Sequence, residues 1–338
     1  IVSLLHRSVN LYNKGMKIIL GFAVACVGLV LVFAVFGLLE PQSQNIQAFP
    51  AALHIPKQQT PQELTLLFAG DIMLDRGVEW KVNQNPPAGG GGDWRWPFLK
   101  IADTLQKADL VFGNLESQIS DKGINVGSIY SFRANPQSLE GLTYAGFDVV
   151  SVANNHSLDY TREAFEDSLN RLWQSGIVPV ADVLAIKEVK DVKIGFLAYT
   201  NFPGIAEVNW DNLQEVVQDI RYAKSRVDIL VVSVHAGEEY DKGPNEFQKV
   251  FAQSAIDAGA DFLIGHHPHV IQPLVPHVRD AELGWIAYSL GNFVFDQSFS
   301  EETMQGAILK VVLEDTNIKE VSFLPTKINS SYQVELAE

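Results

Sequence analysis

Short apolar runs alternate with helical patterns over most of the chain. The runs LTLLFAG, DLVFG, DVVSVA, DILVVSV, DFLIG and WIAYSLG are rich in Val, Ile, Leu and Phe, which is typical of strands buried on both faces. Apolar residues at helical spacing lie between these runs, at 97–108, 161–174, 212–224 and 245–258. This alternation predicts an α/β domain with largely parallel strand pairing.

The C-terminal part of the chain has a different pattern. Residues 307–313 and 320–324 flank the turn-forming triplet Asp315-Thr316-Asn317, which predicts an antiparallel hairpin. Residues 193–199 predict one further strand. Four consecutive glycines at 89–92 lack the Lys-Ser/Thr of a phosphate-binding P-loop, so we interpret them as a loop.

Each of the six apolar runs ends in side chains that are able to bind a metal ion. Ligands of open α/β sheets bind just outside the carboxyl ends of the strands. Six such ends therefore predict one site, assembled from distant parts of the sequence. The side chains concerned are Asp71, Asn114, Glu116, Asn154, Asn155, His156, His235, His266, His267, His269, Asn292 and Asp296.

The types of these side chains indicate which metal to expect. Imidazole together with carboxylate favours Zn, Mn, Fe or Ni over Ca or Mg, and the only cysteine, Cys26, lies far outside this region. In an extended segment His267 and His269 point the same way. We expect a divalent Mn, Zn or Fe site with one or two ions. Two ions about 3.5–4 Å apart require a bridging oxygen, for which Glu116 or Asp71 is suited.

An uncharged apolar segment at residues 18–39 predicts a single transmembrane helix. Its length is about 33 Å at 1.5 Å per residue, against about 30 Å for the hydrocarbon core of a bilayer. Arg7, Lys14 and Lys17 precede it, which favours an N-terminus inside the cell. A cleaved signal peptide, or lipidation at Cys26, is the alternative to a retained anchor.

These observations predict the organisation of the whole chain. We expect a short N-terminal segment at 1–17, an anchor in the lipid bilayer at 18–39, a Pro/Gln-rich linker at 40–62, and a domain at 63–338. The protein is then a single-pass protein of the cell membrane, and its main domain is extracytoplasmic.

The charge of the chain limits the class of partner. The net charge is −15, and residues 1–40 hold three of the 25 basic and one of the 40 acidic residues, so the remainder carries −17. Such a surface argues against nucleic acid as a partner. It also repels a polyanion unless a bound cation mediates the contact.

Several motifs resemble those of one known family. AGDIML, GNLE, ANNH, HAG, GHHPH and SLGNF, spread over roughly residues 64–324, are similar in sequence and order to the CapA (PgsA) proteins of poly-γ-glutamate capsule synthesis. The resemblance implies the calcineurin-like metallophosphoesterase fold, a four-layer α/β/β/α sandwich. It also implies a membrane-anchored accessory protein of polymer synthesis or export. The sequence has no ATP-binding motif, so we expect membrane-embedded synthase or export partners, and poly-γ-glutamate or another anionic polymer as ligand.

The same resemblance implies roles for individual residues. His156 matches the usual proton donor to the leaving group. Met73 stands where a phosphoesterase has a ligand histidine, so both a mononuclear and a dinuclear site stay open. The metal ligands that the resemblance implies are Asp71, Asn114, Glu116, Asn155, His235, His267 and His269.

Catalysis by such a site would be metal-assisted hydrolysis. We expect His156 to protonate the leaving group, and Arg133 either to clamp a carboxylate or phosphate or to be an ordinary surface arginine. Asp75 and Arg76 are interpreted as the start of a helix, with contact to substrate as the alternative. The alternatives to a capsule accessory protein are an extracytoplasmic metal-dependent phosphoesterase or amide hydrolase, and a structural metal-binding module without catalysis.

Overall fold

The computed structural model describes residues 61–86 and 92–337, which form two large β-sheets, the helices that cover them and a small parallel sheet of the third and fourth strands. The strands are β1 (Glu63–Ile72), β2 (Leu110–Leu115), β3 (Gln118–Ile119), β4 (Arg133–Ala134), β5 (Val149–Ser151), β6 (Val178–Val180), β7 (Ala185–Val189), β8 (Val192–Thr200), β9 (Ile229–His235), β10 (Phe262–His266), β11 (Leu274–Arg279), β12 (Glu282–Ala287), β13 (Asn292–Val294), β14 (Gln305–Glu314), β15 (Asn317–Ile328) and β16 (Val334–Leu336).

The helices lie between these strands. They are α1 (Arg76–Gln84), α2 (Ala102–Leu105), α3 (Leu139–Ala145), α4 (Thr161–Gln174), α5 (Leu213–Lys224) and α6 (Glu246–Ala258). Single 3₁₀ turns form at Trp96–Phe98, Pro136–Ser138 and Glu302–Met304. Helix α6 begins with a capping box, in which Asn245 and Gln248 satisfy each other's backbone N–H groups.

The second large sheet has a parallel centre between two antiparallel edges, whereas the first is antiparallel on one side only. The first has the strand order β16-β15-β14-β1-β2-β5-β6, with β13 also paired to β1, and the second has the order β11-β12-β10-β9-β8-β7. Pairing is parallel from β1 to β6 and from β8 through β9 and β10 to β12. It is antiparallel for β14–β16, β7 and β11. The prediction of largely parallel pairing is confirmed from β1 to β6 and from β8 to β12, the C-terminal hairpin is antiparallel as predicted, and β7 and β11 add further antiparallel pairs.

An apolar layer rich in phenylalanine joins the two sheets. Phe68 and Phe112 of the first sheet face Phe262 and Phe196 of the second, with ring centres 6.2 Å apart for Phe68–Phe262 and 5.8 Å for Phe112–Phe196. All four rings are fully buried. Burial of a phenylalanine side chain contributes about 1.5–3 kcal/mol, so this layer holds the sheets together.

The outer face of each sheet is covered by helices. Alternate residues of β1 show the arrangement: Leu66 and Phe68 point to the other sheet, whereas Leu67 and Ala69 point to the cluster that contains α1, α3 and α4. Helices α5 and α6 cover the second sheet in the same way. The layers therefore follow the order helix, sheet, sheet, helix, which agrees with the expected α/β/β/α architecture.

Strand register brings the polar strand ends into line. In the first sheet Asp71 lies beside both Asn114 and Asn292, and in the second His235 lies beside His266. Because the central strands run parallel, their carboxyl ends meet at one edge of each sheet. This register is what assembles side chains from distant parts of the sequence.

Two glycines allow backbone to pass close to backbone at this edge. A Cβ at Gly70 would lie 2.0 Å from the carbonyl oxygen of Gly291, and a Cβ at Gly265 would lie 1.9 Å from that of Tyr288. Both distances are far below van der Waals contact, so only glycine fits at either position.

Most of the predicted elements are confirmed, with one exception. The helices predicted at 161–174, 212–224 and 245–258 and the C-terminal hairpin form as expected, with differences of a few residues at the ends. The helix predicted at 97–108 is wrong: this stretch forms a 3₁₀ turn and the four-residue helix α2. Phe98, Ile101 and Leu105 are nevertheless fully buried. Tertiary packing buries the apolar positions there without a continuous helix.

The predicted N-terminal segment, transmembrane helix and most of the linker, together with most of the four-glycine loop, lie outside the described residues. Among the residues that are described, no helix is long and apolar enough to cross a membrane.

Candidate metal centre

Asp71, at the end of β1, is the centre of a buried polar network. Its Oδ1 accepts a hydrogen bond of 2.8 Å from the Asn114 amide, and its Oδ2 accepts one of 3.2 Å from the backbone N–H of His267. The Nδ1 atoms of His266 and His269 lie 3.2 and 3.4 Å from its two oxygens. Burial raises the pKa of Asp71, but these two imidazoles outweigh burial and hold that pKa well below its ordinary value.

Glu116 has a different environment, although it is equally buried. Neither of its carboxylate oxygens accepts a hydrogen bond from any residue that the structure describes. Its Oε1 lies 3.7 Å from Nε2 of His156 and of His269, and 3.9 Å from Nε2 of His235. Burial, and next the charge of Asp71, raise the pKa of Glu116 well above its ordinary value. A cation beside this carboxylate would favour its ionised form.

Three histidines surround Glu116 and Asp71. The His235 Nε2 and His267 Nδ1 atoms are 3.1 Å apart, and His269 Nδ1 lies 2.9 Å from the side-chain oxygen of Asn292. Burial lowers the pKa of His235 well below 6.5, and burial with the neighbouring His269 lowers that of His267 to about 3. His235 and His267 are therefore neutral at pH 7, the state in which imidazole binds metals.

The backbone around His267 and His269 differs from the expectation of an extended segment. Both residues have positive φ, 97° for His267 and 57° for His269, so the chain turns sharply there. Positive φ in residues other than glycine is strained and is concentrated at functional sites. Both imidazoles reach the cluster because of this turn, and the argument from i and i+2 alternation does not apply.

The Asn154-Asn155-His156 loop contributes on one side. The Asn154 amide, not that of Asn155, joins the network: its Nδ2 donates to Asn114 Oδ1 at 3.3 Å and to the Leu115 carbonyl at 2.9 Å. The Nδ2 atom of Asn155 lies 3.1 Å from Nε2 of His156. Its Oδ1 is buried and accepts no hydrogen bond within residues 61–86 and 92–337.

His156 is held by an acidic residue that the sequence analysis missed. Its Nδ1 lies 2.7 Å from Oδ2 of Asp159, which also accepts the backbone N–H of Phe132. The Nε2 atom is thereby turned toward Glu116, and the imidazole lies against the Phe132 ring, with centres 4.1 Å apart. An acidic residue three positions after the histidine is the only sequence signal for this pair.

The residues fit a divalent metal ion. Asp71, Glu116 and His235 each offer one ligand atom, and these three atoms lie within 4.8 Å of one another. Ligands about 2.0–2.2 Å from a shared ion are separated by about 3–4 Å, which matches the 3.7–3.9 Å between Glu116 and the imidazoles. The mixed N and O donors suit Zn, Mn or Fe. The ligand role of each predicted residue stays a prediction.

A cavity of about 210 Å³ lies beside this cluster. His156 and His269 form part of its wall, so the cavity gives access to the candidate metal centre. The other residues that line it are Arg76, Tyr130, Phe132, Glu239, Tyr240, Phe295, Asp296, Gln297 and Phe299.

Arg133, the predicted clamp, lies elsewhere. Its Nη1 donates to the carbonyl of Lys122 at 2.9 Å, and its guanidinium lies 4.2 Å from the centre of the Tyr160 ring. It does not line the 210 Å³ cavity, whereas Arg76 does. The position of Arg133 therefore gives no support to a catalytic role, which stays a prediction.

Two mixed sheets packed face to face between helices, with a His/Asp/Glu cluster at their carboxyl edge, define an α/β/β/α sandwich protein with a candidate metal centre. The fold is similar to that in a crystal structure of a novel phosphatase from Mycoplasma pneumoniae, with a TM-score of 0.50, 14% identity, and coverage of 79% of this chain and 94% of that one. At this identity the likeness concerns the fold alone.

The chain belongs to the bacterial capsule synthesis protein family PGA_cap, whose sequence model matches residues 65–297. It is 30% identical over 302 residues to the capsule biosynthesis protein CapA of Bacillus anthracis, covering 80% of this chain and 69% of that protein. It is also 30% identical over 306 residues to the PGA biosynthesis protein CapA of Bacillus subtilis (strain 168), covering 82% and 75%. The resemblance inferred from the motifs is thus confirmed.

Proposed function

We propose that this protein is an accessory protein of poly-γ-glutamate synthesis or export that binds a divalent transition metal at Asp71, Glu116 and His235. Membership of the PGA_cap family and the names of the two relatives support the role in polymer synthesis. The uncharged segment at 18–39 supports an anchor in the cell membrane, with the domain on the outer side.

The buried carboxylate of Glu116 is the observation that carries the metal site. It faces three imidazole nitrogens at 3.7–3.9 Å, and none of the described residues donates a hydrogen bond to it. Leaving a buried charged group unpaired costs more than the roughly 1–3 kcal/mol of an unpaired neutral group. A divalent cation between these atoms removes that cost, since carboxylate and neutral imidazole are both ligands for it.

The geometry also favours a second candidate, an extracytoplasmic metal-dependent hydrolase of a phosphoester or an amide. The observation behind it is the His156–Asp159 pair in the cavity wall. Asp159 fixes the imidazole by accepting from Nδ1, which leaves Nε2, beside the Asn155 amide, as the atom that would take up a proton and pass it on at the cavity. A bound divalent ion would supply Lewis acidity and would lower the pKa of bound water toward about 7. Asn114 and Asn154 would keep Asp71 and the strand ends in place.

Metal content tests the site directly. We expect about one or two equivalents of Mn, Zn or Fe by elemental mass spectrometry of the purified protein after dialysis. Glu116→Gln and His235→Ala should each lose the metal. Glu282→Gln and His277→Ala, which replace the same residue types away from the cluster, should keep it. Retention of metal by both cluster variants, or no metal even after incubation with all three ions, would contradict the proposed site.

Polymer production tests the cellular role. In a poly-γ-glutamate-producing bacterium whose own relative of this protein has been deleted, the wild-type gene should restore extracellular polymer. If Glu116→Gln also restores it fully, the metal site is not needed for the role. Hydrolysis of a chromogenic phosphodiester, abolished by chelator and by His156→Gln, would support the hydrolase instead.

A further inference from the structure

Among the described residues, Arg76 is the one arginine or lysine that lines the cavity beside the metal centre, next to the histidines His156 and His269. A positive φ of 50° at the start of α1 sets its backbone direction. The Asp296 carboxylate pairs with its Nη2 atom and also accepts the Gly77 backbone N–H at 2.9 Å. The guanidinium lies 4.6 Å from the centre of the Phe132 ring, the ring that also contacts His156. Arg76 is therefore held in place next to His156.

The hydrogen-bonding capacity of this guanidinium is largely unused. An arginine has five N–H donors in a planar fork, and Asp296 accepts from one of its nitrogens. Its Nε atom is buried, and no acceptor for it is found in the part of the chain that the structure describes. The N–H groups at the far end of the fork, which are not buried in this way, are therefore available to a ligand oxygen in the cavity.

The charges in the cavity wall limit what that ligand is. Asp296 and Glu239 oppose Arg76, so these three side chains sum to one negative charge. A monoanionic carboxylate is tolerated by such a wall better than a dianionic phosphate. Its planar pair of oxygens also matches the guanidinium fork in a bidentate pair.

The size and the other walls of the cavity agree with a small unit of an acidic chain. A water needs only about 10–15 Å³ of such a cavity, so a volume of about 210 Å³ has room for several waters or for a small organic group such as one amino-acid residue. Phe132, Phe295 and Phe299 supply apolar surface for the methylene groups of such a residue.

We propose that this cavity binds the free carboxylate of a peptide or amino-acid chain end, with Arg76 as the residue that binds it. The inference rests on the proposed function, since it assigns a substrate class to the same site. That class is a carboxylate-bearing amide, whose amide bond next to the carboxylate is directed toward His156 and His269. It adds a specificity residue that differs from Arg133.

The test is binding of defined probes to the purified protein, measured by calorimetry in EDTA and again with Mn²⁺. The probes are the dipeptide γ-glutamylglutamate, glutarate as a dicarboxylate without an amide, and inorganic phosphate. Because Arg76 belongs to the protein, its contribution is measurable in EDTA, so failure of the metal site and failure of this inference are distinguishable.

Arg76→Lys keeps the charge but removes the planar fork. We expect dipeptide binding at least about 10-fold weaker, from the loss of charge-assisted hydrogen bonds. Arg226→Lys is the matched control, because Arg226 also lies over an aromatic ring, that of Tyr222, but at the exposed surface. It should bind within about twofold of wild type.

Asp296→Asn is a second variant that does not depend on the folding of the first. The asparagine oxygen can accept from Arg76 while the Gly77 N–H loses its acceptor, and the competing negative charge is gone, so dipeptide binding should become tighter. Unchanged binding in both Arg76→Lys and Asp296→Asn would overturn the inference. So would binding of phosphate in place of both carboxylate probes, or a loss that follows Arg133→Lys rather than Arg76→Lys.

Discussion

Replacing Glu116 by glutamine should stabilise the protein without metal and destabilise it with metal. The side chain is fully buried, burial and the charge of Asp71 raise its pKa, and its Oε1 atom lies 3.7–3.9 Å from three imidazole nitrogens. Glutamine keeps the size and removes the charge. The sign of the change therefore reports whether the site is built around a cation.

The pH dependence gives the magnitude in metal-free protein. An unfolded glutamate has a pKa of about 4.3, and the folded pKa of Glu116 is higher, so above about pH 4.3 the folded state holds more protons than the unfolded state. The free energy of unfolding of the wild type then falls by up to about 1.4 kcal/mol per pH unit, until the folded pKa is reached. The variant lacks this slope.

Bound metal reverses the sign of the difference in stability between Glu116→Gln and the wild type. A ligand at 100 times its Kd stabilises the folded state by about 2.7 kcal/mol, and the variant that cannot bind it gains nothing. The assay is urea unfolding followed by tryptophan fluorescence at pH 5, 6.5 and 8, in EDTA and in Mn²⁺. At pH 5 the difference in unfolding free energy between the variant and the wild type measures the cost of burying the amide. The change in this difference between pH 5 and pH 8 therefore measures the effect of the Glu116 charge.

Glu282→Gln is the matched control for this experiment. Glu282→Gln alters an exposed carboxylate whose pKa is lowered by Arg279, and it should show no dependence on metal. If Glu116→Gln in EDTA has the same pH slope as the wild type, the carboxylate has protein partners after all. The argument for a cation at this position would then be refuted.

Three further changes test the histidine cluster and the packing that supports it. The pKa of His267 in the folded protein, about 3, lies below its unfolded value near 6.5. Between these values the unfolded state binds more protons, so the free energy of unfolding falls as the pH is lowered. His267→Gln should reduce this acid sensitivity in denaturation curves. Phe68→Ala, between the sheets, should cost about 3–5 kcal/mol in urea unfolding, whereas the exposed Phe299→Ala should cost under about 0.5 kcal/mol. Gly265→Ala places a Cβ 1.9 Å from a backbone carbonyl and should lower the melting temperature strongly, whereas Gly243→Ala, with open space around it, should not.

The local pattern of the sequence was sufficient for most of the elements. Buried strands read as continuous apolar runs because both faces are covered, and the helices on their outer sides show the 3.6-residue period. The stretch at 97–108 shows the limit of this approach: apolar spacing indicates which residues are buried, not whether the backbone between them is helical.

The sequence by itself also identified the chemical character of the site. Side chains able to bind metal follow six apolar runs, and the parallel centre of a sheet brings such ends to one edge. Of the seven predicted ligands, Asp71, Asn114, Glu116, His235, His267 and His269 lie in one buried network. Asn155 lies at its border, and Asn154 takes the position inside.

Only the tertiary structure decided how these groups face one another. Contacts between residues far apart in the chain set the register of β1 with β2 and β13. Backbone angles that the sequence does not specify set the turn at His267 and His269, and the local fold of the loop pairs Asp159 with His156. The same holds for the choice between two arginines. Arg133 is bound to backbone carbonyls and a tyrosine ring, whereas Arg76 lines the cavity, because the packing of α1 and the residues after β13 places Asp296 beside it. Residue types specify the chemistry that is available, and the packing of the two sheets determines which of those residues meet.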